Sequence, residues 1–283
     1  MNLRHLTART AIAGVATALA AGALVGVSAT AANAVDNTSS YDCTAFGASQ
    51  GTFTLKISTP VIPATATAGQ SFPAGLLNLD ALVTIPSSTA TTLGGAGVNG
   101  GRIDDYAGSL GTTTLAAPLV FGAPTPQSDG SATMAGTGSV GAFTLPKAGT
   151  DKVQLPKSFT FTPTTASGDL TVGGTPVLVS CTSAAPGDLG TVKVTKGTGT
   201  ITPKAKKVKK GYAVTVAVTR SDSKIKPTGK VTAKYGSKKV TKALKKGKAV
   251  LTLPKAAKGK KVTITYSGDG YVKAGKAVIK KLK

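Results

Sequence analysis

The sequence predicts an all-β protein built from two β-sandwich domains, and three observations predict it. Apolar and polar residues alternate with period two through both halves, and Gly and Pro interrupt that alternation at short intervals. Period two places every second side chain on one face of a strand, whereas an amphipathic helix needs apolar positions three and four apart. The third observation is charge. Of 34 Lys and Arg residues, 27 lie in 190–283 beside only two acids, Asp222 and Asp269, a formal +25. Residues 35–189 hold five bases against nine acids, a formal −4. That asymmetry divides the chain into separate domains and assigns the second an anionic partner.

Residues 1–34 read as a secretory signal peptide. Arg4 and Arg9 supply its positive start, a run of small apolar residues follows, and Ala32-Asn33-Ala34 is an A-x-A cleavage site. No second apolar run of spanning length occurs, so no membrane insertion is expected and the mature chain is exported. Residues 35–187 form the expected first domain. Phe53, Leu55 and Ile57 share one strand face; Leu79, Ala81, Val83 and Ile85 another; Phe159 and Phe161 a third; Val177, Val179 and Cys181 a fourth. Turn-rich pieces such as Gly94-Gly95-Ala96-Gly97 and Ser128-Asp129-Gly130 separate them, and the glycine-rich piece reads as a flexible loop. Cys43 and Cys181 are the only cysteines. In an exported chain a lone pair reads first as a disulfide, preferred here over two buried thiols, and it would join the start of the domain to its end.

Residues 188–283 give a clearer pattern. Strands are expected at 192–195, 206–209, 212–219, 230–235, 238–244, 249–253, 262–266 and 277–281. Val214, Val216 and Val218 share a face, as do Val231, Ala233 and Tyr235, and Val262, Ile264 and Tyr266, while Lys and Thr fill the opposite faces. Seven or eight short strands in about 95 residues match an immunoglobulin-like sandwich. Pro227-Thr228-Gly229-Lys230-Val231, Ala249-Val250-Leu251-Thr252-Leu253-Pro254 and the Val262–Asp269 stretch ending Tyr-Ser-Gly-Asp together resemble the bacterial Ig-like repeat domains of secreted and surface proteins. The resemblance implies a binding or spacer module. Tyr271 follows Asp269 after one residue where the family has a longer turn, which implies a tighter loop. Tyr41-Asp42-Cys43, the Ala66–Phe72 stretch and Val179-Ser180-Cys181-Thr182 make the first half similar to a family of actinobacterial exported domains with no assigned function.

No enzyme is expected from this inventory, and a hydrolase using the aspartates of the first domain is the third and least favoured reading. The one histidine, His5, lies in the leader, and the chain holds no Glu and no Trp. A mature chain without His runs no Ser-His-Asp or Cys-His mechanism and offers no imidazole to a metal. No cofactor is expected. Asp104 and Asp105 are adjacent, and Asp42, Asp80, Asp151 and Asp169 follow no spacing, so they read as turn formers. Calcium held by backbone carbonyls is left open. The lysines remain: Lys207, Lys210, Lys245, Lys246 and Lys248 lie in the densest clusters and are the expected polyanion contacts. Lysine acts as a hydrated point charge where arginine would supply a planar fork, so loose association with an anionic wall polymer or acidic polysaccharide is expected, and no sequence-specific nucleic acid. The expected function is a secreted, non-enzymatic, envelope-associated protein whose basic domain tethers the first. The alternative is an adhesin or carbohydrate-binding protein with the basic domain as spacer.

Overall fold

The computed structural model describes residues 35–60 and 62–283, so the expected leader at residues 1–34 lies outside the described residues. Strands dominate, and the buried apolar residues gather into two separate cores.

The Phe53-Leu55-Ile57 and Leu79–Ile85 faces are fully buried, on the antiparallel neighbours Ala48–Thr59 and Asn78–Ile85. From there the ladder continues through Val35–Ala45, Val179–Thr182, Ser158–Thr165, Gly100–Ile103, Leu119–Phe121 and Ala132–Ser139. Ala132–Ser139 also pairs with Asn78–Ile85, which closes the circuit into an eight-stranded antiparallel barrel. The expected sandwich is therefore corrected for the first domain. A barrel and a sandwich both bury every second residue, so alternation does not distinguish them; closure adds the removal of open edges. Gly136 makes the closing seam possible. A Cβ there would sit 2.5 Å from Cδ1 of Phe121, its cross-strand partner, so only glycine lets that ring lie over the backbone.

A five-stranded sheet packs on the barrel in the order Thr65–Thr67, Asp188–Thr195, Gly149–Gln154, Ala107–Leu110, Thr113–Ala116. Its second strand moves the expected domain boundary. Asp188–Thr195 pairs with Gly149–Gln154, and Leu189, Val192 and Val194 are buried in the first core. The change of core thus falls after Thr195 rather than at 187/188. Composition marks a break at Pro186-Gly187, but the alternation of Val192 and Val194 decides where the strand goes. Among the described residues there is also one α-helix, Ser87–Gly95, where none is expected. It buries Thr89 and Leu93, and the Thr89 hydroxyl donates to the Gln50 carbonyl at 2.7 Å. The glycine run expected as a flexible loop thus ends this helix and opens the Gly100–Ile103 strand.

Cys43 and Cys181 are direct cross-strand partners and form a disulfide, with Cα atoms 4.1 Å apart. The ladder they sit on is only three pairs long, 42–44 against 180–182, while Val35–Ala45 pairs along its whole length with Ala48–Thr59. The bridge fastens the shortest register of the first strand. Beside it the Tyr41 hydroxyl donates to the Pro156 carbonyl at 2.9 Å, and its ring meets Phe159 edge-on at 4.7 Å.

The second unit is a sandwich of a three-stranded sheet (Thr200–Val208, Gly211–Thr219, Lys248–Pro254) and a four-stranded sheet (Lys238–Ala243, Lys230–Tyr235, Val262–Tyr266, Gly275–Ile279). All three predicted apolar faces are buried between the sheets, together with Leu251 and Leu253. Among the described residues no helix is long and apolar enough to cross a membrane.

Candidate polyanion-binding site

The strands of the second unit run between two ends, and these ends differ chemically. One end meets the first domain. Ser223 Oγ donates to the Gly69 carbonyl at 2.6 Å, Ala148 N donates to the Gly270 carbonyl at 2.8 Å, and Tyr271 packs against both cores. Arg220 organises this junction. Its side chain is 1 % exposed, pairs with Asp222 through two nitrogens at 2.8 and 2.7 Å, and donates to the Ala68 carbonyl at 2.6 Å and the Tyr271 carbonyl at 3.0 Å. The guanidinium hydrogen bond holds the Asp222 carboxyl below the usual carboxylate range.

The second acid, Asp269, lies at the same end. It joins the two motifs that carry the Ig-like resemblance, accepting from Thr228 N at 2.7 Å and Thr228 Oγ1 at 3.0 Å, and from Tyr271 N and Val272 N at 2.8 Å. Burial works to raise its carboxyl, and these hydrogen bonds outweigh burial, so it sits below the ordinary range. Both acids of 190–283 are thus committed to the junction end.

The opposite end is built from the Lys209-Lys210 turn, the Gly236-Ser237 turn, the 255–261 connection and the C-terminal residues. Register places them together: Gly211 pairs with Pro254, Tyr235 with Val262, and Val262 with Ile279. A shallow cleft there is lined by Lys207, Lys209, Lys255, Lys258, Val208, Gly211 and Tyr212. Lys238, Lys260, Lys261 and Lys281 lie at the same end, and neither Asp222 nor Asp269 faces it, since both are bonded at the other end. Charges gathered at one end act together over the ~10 Å screening length of 0.1 M salt.

The five expected contact lysines are all exposed, but the fold does not gather them. Lys207 pairs with Tyr212, and Lys248 pairs with Ala217, five residues along the same strand, so the two groups lie roughly 17 Å apart at the strand rise. Lys207 and Lys210 belong to the acid-free end; Lys245, Lys246 and Lys248 form the turn near the junction. Lys255 and Lys258 take their place beside Lys207, a proximity set by the register of three strands. The only sequence signal for it was their density after Pro254.

The Lys246-Gly247 turn has φ of +51° and +77°, the type I′ geometry that Asn-Gly adopts without strain. Replacing Lys246 by Asn should stabilise the chain by roughly 0.5–1 kcal/mol, read as a rise in its unfolding midpoint. No gain in the midpoint would mean that the turn is unstrained.

Three aspartates of the first domain make contacts that tie strands or turns together. Asp105 accepts from Thr160 N at 2.9 Å, and Arg102 bridges Asp104 and Asp169, drawing the Asp169 carboxyl down through their hydrogen bond. No group of three or more His, Cys, Asp or Glu gathers among the described residues.

A family model described as "Family of unknown function (DUF6801)" matches residues 40–193, more than half of the chain. The chain belongs to this family. The DUF6801 segment begins beside Tyr41 and ends within the strand that carries Val192 and Val194, so it coincides with the first core. No curated protein matches the chain. Among solved structures it is similar to a Corynebacterium diphtheriae protein classed provisionally as membrane anchored, at 17% identity and a TM-score of 0.40. That alignment covers 87% of this chain and 58% of the corynebacterial one, so the chain spans less than two thirds of that protein's length.

Proposed function

We propose that this is an exported, non-enzymatic envelope protein whose second domain, an immunoglobulin-like sandwich, associates electrostatically with anionic wall polymer and presents the DUF6801 domain outward. The observation that carries this reading is the acid-free lysine end around Lys207, Lys210, Lys255 and Lys258, opposite the junction. A solubilising surface intersperses both signs of charge, whereas segregated charge costs stability through self-repulsion. Lys246 supports the same reading, because a lysine occupies a backbone geometry that Asn would fill at lower cost. With lysine rather than arginine as the contact, the fit is to a flexible phosphate- or carboxylate-bearing polymer.

The test is co-sedimentation of the mature chain with isolated cell walls, with and without teichoic acids, across a salt series. Lys207→Glu, Lys210→Glu, Lys255→Glu and Lys258→Glu together should reduce binding at least tenfold, and Lys245→Glu, Lys246→Glu and Lys248→Glu together by less. Binding should fall steeply between 0.05 and 0.3 M salt, as screening lengths shorten to well under the size of the patch. Salt-insensitive binding that survives the first set of reversals would overturn the proposal and place recognition in the first domain.

A further inference from the structure

The lysines of the second domain continue beyond its acid-free end. In the four-stranded sheet Val231, Ala233 and Tyr235, with Val262, Ile264 and Tyr266, face the core, so the residues between them cover the outer face. Register lays that face out. Lys234 stands directly opposite Lys239 on one side and Thr263 on the other; Thr265 pairs with Thr232 and with Lys276. Lys234, Lys239 and Lys276 are all exposed, and the four strands hold no Asp or Glu. The face adjoins the lysine end. Lys261 and Lys280 stand just beyond the pair Val262–Ile279, and a Cβ on Gly236 would lie 3.8 Å from the Lys260 ammonium.

Solubility does not account for this arrangement. Directly opposed residues of an antiparallel pair hold their Cβ atoms about 5 Å apart, and like charges there cost stability. Lysine blunts an open sheet edge, but Lys234 lies on a strand with neighbours on both sides, where no edge needs it. An anion seated between Lys234 and Lys239 removes their repulsion. Lys276, on the far edge strand, stands roughly 15 Å from Lys239, three strand spacings away. Point charges set that far apart suit successive charges of one chain better than a single small anion. Given wall-polymer association at the lysine end, on which this rests, we propose that one linear polyanion bound there continues across the outer face of the four-stranded sheet, with Lys234 and Lys239 sharing one of its charges and Lys276 taking another.

The probes are inorganic tripolyphosphate, which fits the cleft beside Lys207 and Lys258, and long-chain polyphosphate, which can cover both surfaces. Each is titrated into the mature chain by calorimetry across a salt series. Lys234→Gln, Lys239→Gln and Lys276→Gln together should weaken long-chain binding at least fivefold and leave tripolyphosphate within twofold of wild type. The slope of log affinity against log salt should become shallower by about 2 for the long chain, close to 0.7 for each contact removed. Without polyanion the variant should melt no lower than wild type, because an opposed like-charge pair has gone. Unchanged long-chain affinity and slope would confine binding to the end, and equal loss of both probes would make the face the primary site; either overturns the continuation and leaves electrostatic tethering standing. A lower melting temperature would overturn the reading of Lys234 and Lys239 as a repelling pair. Failure of the wild type to bind either probe would overturn the tether, and the continuation with it.

Discussion

Replacing both Cys43 and Cys181 by Ala should lower the stability of the first domain by about 4–5 kcal/mol on the chain-entropy account, because the bridge closes a loop with a sequence separation of 138. In a domain of this size that corresponds to a fall in melting temperature of very roughly 10 °C. The location of the bridge makes the effect specific. The first strand keeps its full-length ladder with Ala48–Thr59, and what weakens is the three-pair register joining Val35–Ala45 to Val179–Thr182. Hydrogen exchange should accelerate at 179–182 before it does at 52–57. Calorimetry of the double variant, with the reduced wild type alongside, checks both. A drop of under 2 °C, or protection lost uniformly across the barrel, would show that the ladder holds without the bridge.

The second large effect is expected at Arg220. Arg220→Met removes the pair with Asp222, leaves the Ala68 carbonyl without its donor and leaves the Tyr271 carbonyl only Gly197 N, at 2.9 Å, which should cost about 3 kcal/mol. Asp222→Asn should cost about 2 kcal/mol, because a buried guanidinium loses its counter-charge; the carboxylate itself is half-exposed, which limits the loss. Both variants should divide one calorimetric transition into two as the domains uncouple. The same pair sets an acid limit. The folded Asp222 carboxyl lies below its unfolded value, so its contribution is complete above about pH 4 and is lost as pH falls through the lowered folded value. Asp269, also lowered, acts in the same direction at the same end. The junction should therefore open at acid pH in wild type, with little added acid sensitivity in Asp222→Asn. An unchanged single transition in Arg220→Met would mean that Tyr271 and the Ser223–Gly69 bond suffice to couple the domains.

The strands were legible because burial on one face writes itself into every second residue. Val214, Val216 and Val218 could be placed in a core from spacing alone, and the disulfide followed from a lone pair of cysteines in a chain expected to be exported. Barrel closure was not legible, since Phe121 and Gly136 are neighbours only through pairing across the seam, which alternation does not encode. The helix at Ser87–Gly95 was missed because its Thr- and Gly-rich sequence lacks an apolar stripe; it forms after Pro86 and is held by Thr89 and Leu93. For the lysines, the charge of the domain was evident and its distribution was not. Lys207 and Lys248 look alike in sequence and stand at opposite ends because hairpin register, not proximity along the chain, decides which turns meet.

Placing both acids of 190–283 at one end and an unbroken lysine field at the other gives the second domain a permanent dipole along its strands. A dipole exerts a torque in an external field, so near an anionic surface the protein would be turned before it touches. Arrival with the lysine end first and the DUF6801 domain trailing would be set during the encounter, over distances comparable to the screening length. The arrangement of charge would then govern the rate and pose of association as much as its strength.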